Sequence, residues 1–120
     1  MIKLAFLFKS APYGSAISRE GLDALLAATA FCEPEEIAVF FMHEGVLNLY
    51  QNQKPENILQ KDFTAAFKLL EVFDIENIFI CQEDANQYDL SAKNSLIEEK
   101  FITRAELINQ LKRAQKVLTF

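Results

Sequence analysis

The sequence predicts a single α/β domain with a mainly parallel central sheet and helices on both of its faces. Three observations carry that expectation. Short apolar runs of strand length alternate along the chain with segments whose apolar residues recur at helical spacing. Residues 37–42 are apolar without interruption, as a strand covered on both faces must be. Strands separated in this way by helices pair most readily in parallel, with the connecting helices lying over the sheet.

Residues 2–8 are apolar apart from Lys3 and read as the first strand, and the Gly-containing stretch 9–14 reads as the loop that follows. The period then changes. From Ser15 to about Ala30, the residues Ile17, Leu22, Leu25, Leu26 and Thr29 mark one face of a helix that Ser15 or Ser18 is placed to cap. Pro34 and the acids around it interrupt the chain before the strand at 37–42. Residues 46–50 predict a short helix and 51–55 a polar loop. Asp62 then precedes a helix over 63–73, in which Phe63, Ala66, Phe67 and Leu70 share a side through their three- and four-residue spacings.

Residues 77–81 supply another apolar strand, 82–94 suit a turn or short helix, and 95–98 suit a short strand near an edge. The clearest helix begins at Thr103. Thr103 and Glu106 have the spacing of a capping box, Ile102 and Leu107 that of a hydrophobic staple. Its apolar face takes in Leu107, Ile108, Leu111 and Ala114, while Lys112, Arg113 and Lys116 favour its carboxyl end through the helix dipole. Residues 117–120 read as a last strand. No repeat or linker divides the pattern, so one domain is expected over residues 1–120.

Composition narrows the function classes. A chain of 120 residues can bury one sizeable core, and 51% hydrophobic content with eleven Phe and only three Gly excludes a low-complexity chain. Seventeen acidic residues against twelve basic ones leave a net charge of -5, and the lysines are dispersed from Lys3 to Lys116. Phosphate binding needs clustered Lys and Arg, so direct contact with tRNA or DNA is disfavoured. Cys32 and Cys81 stand far apart, with a single His and no CxxC pair, so no metal site and no cofactor are expected. Residues 1–3 lead directly into a strand without a basic leader, and no stretch nears the roughly 20 apolar residues that span a bilayer. These features predict a reduced, cytoplasmic chain.

The chemistry visible in the residues is sparse. There is no GxGxxG, Walker A or HExxH pattern. Four residues before and within the first helix, Ser10, Gly14, Ser15 and Arg19, offer hydroxyls, a flexible backbone and a cation near a helix amino terminus, a combination that can bind a small anion. An ordinary loop and cap would use the same residues, and Glu20 opposes an anion. His43 follows a strand and suits a cleft or a surface contact. Cys81 ends a strand, where a thiol can face the crevice beyond a parallel sheet, but Glu83 and Asp84 follow at once and oppose thiolate formation. Cys32 ends the Ala-rich helical pattern and suits a buried gap. Val46, Leu47, Leu49 and Tyr50 form a short apolar segment beside a polar loop, which suits either a subunit interface or packing against the chain's own sheet.

Motifs spread over nearly the whole chain resemble one family. They are Phe6-Leu7-Phe8, Ala11-Pro12-Tyr13-Gly14-Ser15-Ala16, Arg19-Glu20-Gly21-Leu22-Asp23-Ala24-Leu25-Leu26-Ala27, Ala38-Val39-Phe40-Phe41, Gly45-Val46, Gln53-Lys54-Pro55, Phe67-Lys68-Leu69-Leu70, Asp74-Ile75-Glu76 and Cys81. Together they resemble the C subunits of TusBCD sulfur-relay complexes, within the DsrE/DsrF-like proteins. The resemblance implies a DsrE/DsrF-like α/β fold and assembly with TusB-like and TusD-like subunits as paired heterotrimers. It also implies persulfide transfer during 2-thiouridine formation at the tRNA wobble position, with tRNA and other sulfur carriers as indirect partners. The family's recognised relay cysteine lies in the D subunit, after a comparable strand and before a basic segment. Cys81 matches that topological position, but residues 82–88 lack the family's Arg residues. The expected role is a structural subunit that positions a partner's cysteine, with direct sulfur carriage by Cys81 and small-anion binding as the alternatives.

Overall fold

A computed structural model describes residues 1–12, 15–49, 64–91, 95 and 100–120. Five strands form one sheet: β1 (Leu4–Phe8), β2 (Ile37–Phe41), β3 (Ile78–Cys81), β4 (Lys100–Ile102) and β5 (Lys116–Thr119). Their order is β4-β3-β2-β1-β5, and all the pairings are parallel. Among the described residues four α-helices lie between them: α1 (Ile17–Ala28), α2 (Leu69–Val72), α3 (Gln82–Gln87) and α4 (Arg104–Arg113). Short 3₁₀ segments at Pro34–Glu36, His43–Leu49 and Thr64–Lys68 complete the described connections.

The alternation of side chains along the strands builds two cores. Phe6 and Phe8, Val39 and Phe41, and Ile78 and Ile80 point to one face, where they meet Leu22 and Leu25 of α1, Leu70 of α2 and Ala85 of α3. Ala5 and Leu7, Ala38 and Phe40, and Phe79 and Cys81 point to the other, where they meet Leu107 and Leu111 of α4. This division follows from the topology. From β1 to β4 the chain steps across the sheet in one direction, then α4 carries it back over β3, β2 and β1 to β5. Right-handed crossovers travelling in opposite directions put their helices on opposite faces. Strands β1, β2 and β3 are almost wholly buried, while β4 and β5 form the more exposed edges.

Aromatic packing dominates the larger core. Phe8 stacks on Phe41 at 5.3 Å, meets Phe67 edge-on at 5.3 Å and lies 5.9 Å from Phe120, spacings at which aromatic pairs add to simple area burial. Two glycines permit close approach. A Cβ on Gly45 would fall 1.9 Å from the Phe8 carbonyl oxygen, and one on Gly21 would fall 2.6 Å from the Phe120 ring.

Several local expectations need correction. The edge strand lies at Lys100–Ile102; of the expected segment 95–98, Ser95 makes an isolated bridge and the remainder lies outside the described residues. Ser18 does not cap α1: its hydroxyl is buried and donates to the Ser10 carbonyl at 2.8 Å, while Ser15 Oγ accepts only a long 3.4 Å contact from Ile17 N–H. The buried face of α1 is accordingly Ser18, Gly21, Leu22, Leu25 and Ala28, and Ile17 is exposed. Thr103 does cap α4, accepting from Glu106 N–H at 3.2 Å, but the Glu106 carboxylate accepts from Gln110 instead of closing the capping box. Ile108 turns outward. The expected helix over 63–73 is 3₁₀ over Thr64–Lys68 and α-helical only over Leu69–Val72; Phe63 lies outside the described residues.

Candidate functional site

The carboxyl ends of β2, β3 and β4 bring His43, Cys81 and Arg104 to one edge of the sheet. Cys81 is the last residue of β3 and the residue from which α3 starts, so Glu83 and Asp84 occupy the first turn of that helix, where carboxylates are favoured by its dipole. Register places Cys81 opposite Ile102 of β4, and Arg104 begins α4 two residues later. On the other side of β3, His43 follows β2 and adopts a left-handed φ of 52°.

Asp84 joins these three strand ends. One carboxylate oxygen accepts from the His43 backbone N–H at 2.6 Å, and the other accepts from Arg104 Nη2 at 2.7 Å. Burial is the largest influence on this carboxyl and pushes its pKa up. The His43 N–H, the Cys81 thiol and the Arg104 charge together outweigh burial, so the pKa falls below the ordinary Asp value. The residue therefore stays ionised although its side chain is only 4% exposed. His43 itself turns its imidazole outward, with Nδ1 4.0 Å from the same carboxylate.

Cys81 is fully buried within this arrangement. Its Sγ faces Glu83 Oε1 at 3.7 Å, and that carboxylate also accepts from Arg104 N–H at 2.9 Å. Burial pushes the thiol pKa up, and the Asp84 carboxylate adds to the rise; the Asp84 N–H and the Arg104 charge offset only part of it. The sulfur is thus held as a thiol. A nucleophilic sulfur needs thiolate and access, and this geometry supplies neither while Glu83 and Asp84 hold their positions. Among the described residues no three His, Cys, Asp or Glu side chains gather as metal ligands.

The other residues singled out in the sequence are placed differently. Ser10 turns its carbonyl inward, accepting from Ser18 Oγ and from Asn48 Nδ2 at 3.1 Å, whereas Ser15 and Arg19 are exposed and Gly14 lies outside the described residues. Beneath that loop Asn48 Oδ1 is a buried acceptor with no partner among the described residues, a group that would meet a donor more readily than an anion. Val46 and Leu49 are wholly buried in the chain's own core, because the 3₁₀ segment lies against the sheet; Leu47 is half-buried, and Tyr50 lies outside the described residues. Cys32 is half-buried on the far side of the sheet, beyond the carboxyl end of α1.

Arg104 was not among the residues that sequence pattern picked out. Its signal was a cation in the first turn of a helix, where the dipole disfavours positive charge and a carboxylate partner elsewhere is needed.

A five-stranded parallel sheet with helices on both faces, carrying a buried thiol at the end of its third strand, defines an α/β domain of a known kind. The model of the DsrE/DsrF-like family matches residues 2–120, and the chain belongs to that family. It is 50% identical over 119 residues to a protein named TusC homolog from Haemophilus influenzae, a match covering 99% of this chain and 100% of the relative. A TusC homolog from Pasteurella multocida is likewise 50% identical with the same coverage, and one from Vibrio parahaemolyticus is 42% identical over 120 residues and the full length of both chains. The crystal structure of the ychN protein from E. coli shares the fold, with a TM-score of 0.83 over all of both chains at 22% identity.

Proposed function

We propose that the chain is a non-catalytic structural subunit of a sulfur-relay assembly supporting 2-thiouridine synthesis at the tRNA wobble position. In this reading it assembles with TusB-like and TusD-like subunits and holds a partner's persulfide cysteine in place for its acceptor. The observation that carries the proposal is the state of Cys81. At the strand end where the family resemblance puts a relay cysteine in the D subunit, this chain has a fully buried thiol facing Glu83, with its pKa raised by burial. Full-length similarity to TusC homologs supports the assignment to the C position.

The test is reconstitution of the three-subunit assembly with a sulfur-transfer assay and mass measurement of each subunit. Transfer is expected to require the assembly, Cys81→Ser is expected to keep it, and no persulfide should appear and decay on Cys81 during turnover. Loss of transfer in Cys81→Ser with assembly intact, together with a transient persulfide on that residue, would favour direct carriage.

A further inference from the structure

We propose that an acid-rimmed cleft at the amino end of the sheet, with the exposed apolar side chains of Phe31, Val72 and Phe73 beside it, is the seat for a partner-protein segment bearing one large apolar anchor flanked by Lys or Arg. The inference rests on the subunit role proposed above and adds where, and by what chemistry, a partner is held. The cleft lies at the end of the sheet opposite Cys81, where α1 runs out, β2 begins and the turn after α2 leads to β3. It encloses about 250 Å³ between Thr29, Cys32, Pro34, Val72, Phe73 and Asp74. That volume falls below the roughly 300–1,000 Å³ of small-molecule pockets and suits a single side chain.

The surface around the cleft is apolar where a solvated surface would not be. Phe31, next to Cys32, is 88% exposed, Val72 is 70% exposed and Phe73 41%. Exposed aromatic residues beside a pocket are the usual anchors of protein interfaces. The rim is acidic. Glu33, Glu35, Glu71, Asp74 and Glu76 are all exposed and lie in the segments that wall the cleft, while the neighbouring Glu36 is held by Lys3 Nζ at 2.7 Å. Such a rim repels phosphate, which argues against nucleic acid and anionic lipid, and complements a basic segment. Asp74 also keeps a left-handed φ of 60° at the end of α2, where glycine or asparagine would fit with less strain. Asp74 lines the cleft, and Asp is among the residues that take this conformation most readily.

Cys32 makes the proposal testable, because it lines the cleft while Cys81 is fully buried. Its alkylation by iodoacetamide, followed by mass spectrometry, should slow at least tenfold when the chain is assembled with its B-like and D-like partners. Phe31→Ser removes an almost fully exposed side chain and should leave the melting temperature unchanged while weakening assembly by roughly thirtyfold or more. Asp74→Asn keeps the shape and suits the positive φ; it should weaken assembly severalfold and flatten its dependence on salt. If the assembly forms with Cys32 labelled as fast as in the free chain and Phe31→Ser binding as tightly as wild type, the seat is elsewhere and the subunit role still stands. If no assembly forms, the subunit role falls and the seat falls with it. Protection of Cys32 that grows with the concentration of the isolated chain would identify a second copy as the occupant and overturn the proposal.

Discussion

Asp84 shows how one residue can set the chemistry of a strand end. A buried carboxylate is costly unless it is paired, and here His43 N–H and the Arg104 guanidinium supply the pairing across two neighbouring strands. Asp84→Ala leaves the His43 N–H without its acceptor and should destabilise the fold by about 2 kcal/mol in urea denaturation. The pH dependence has a definite sign. Since the folded pKa lies below the unfolded one, the stabilisation is complete above the ordinary Asp range and is lost as pH falls through the folded value. Wild type should therefore lose stability on acidification faster than Asp84→Ala, and equal acid limbs for the two proteins would contradict the pairing. The fate of the sulfur follows from the same geometry, since burial and the Asp84 carboxylate act together against thiolate.

At the scale of elements, the strong periodicities were legible and the weak ones were not. The uninterrupted apolar run 37–42 marked the central strand, because burial on both faces leaves no polar position along it. The edge strand at Lys100–Ile102 carries no such mark, because three residues at the border of a sheet, Phe101 packed to one face and Ile102 to the other, are too short for a pattern. Cys81 and its acidic neighbours could be singled out from adjacency in sequence, whereas the Arg104 contact depends on β3–β4 register, which no local pattern encodes. Burial of Val46 and Leu49 likewise depends on how closely their 3₁₀ segment approaches β1. Gly45 sets that approach. With a Cβ position 1.9 Å from the Phe8 carbonyl oxygen, which is backbone and cannot swing aside, Gly45→Ala should cost roughly 3 kcal/mol or more by thermal or chemical denaturation. A variant as stable as wild type would mean that the segment can lift from β1 at little cost.

Across the whole molecule, the parallel sheet separates two kinds of surface. The carboxyl ends of its strands carry the closed cluster around Asp84, while the amino ends of β2 and β3 carry the open cleft beside Phe31 and Phe73. Four residue steps along β2, at about 3.3 Å each, set the two ends about 13 Å apart, beyond the range over which substitutions usually couple. No side chain of the Asp84 cluster lines the cleft. Asp84→Ala should therefore lower stability without changing the affinity of the folded chain for its partners, and Phe31→Ser should weaken assembly without lowering stability. In the double variant the two losses should add to within about 0.5 kcal/mol on both measures, read by denaturation of the isolated chain and by titration of the folded chain with its partners. A larger interaction energy would mean that the central strands transmit a change from one end to the other, making partner docking a means of altering the surroundings of Cys81. Additive losses would instead leave docking and thiol burial as independent properties of opposite ends of one sheet, as the structural-subunit role proposed above expects.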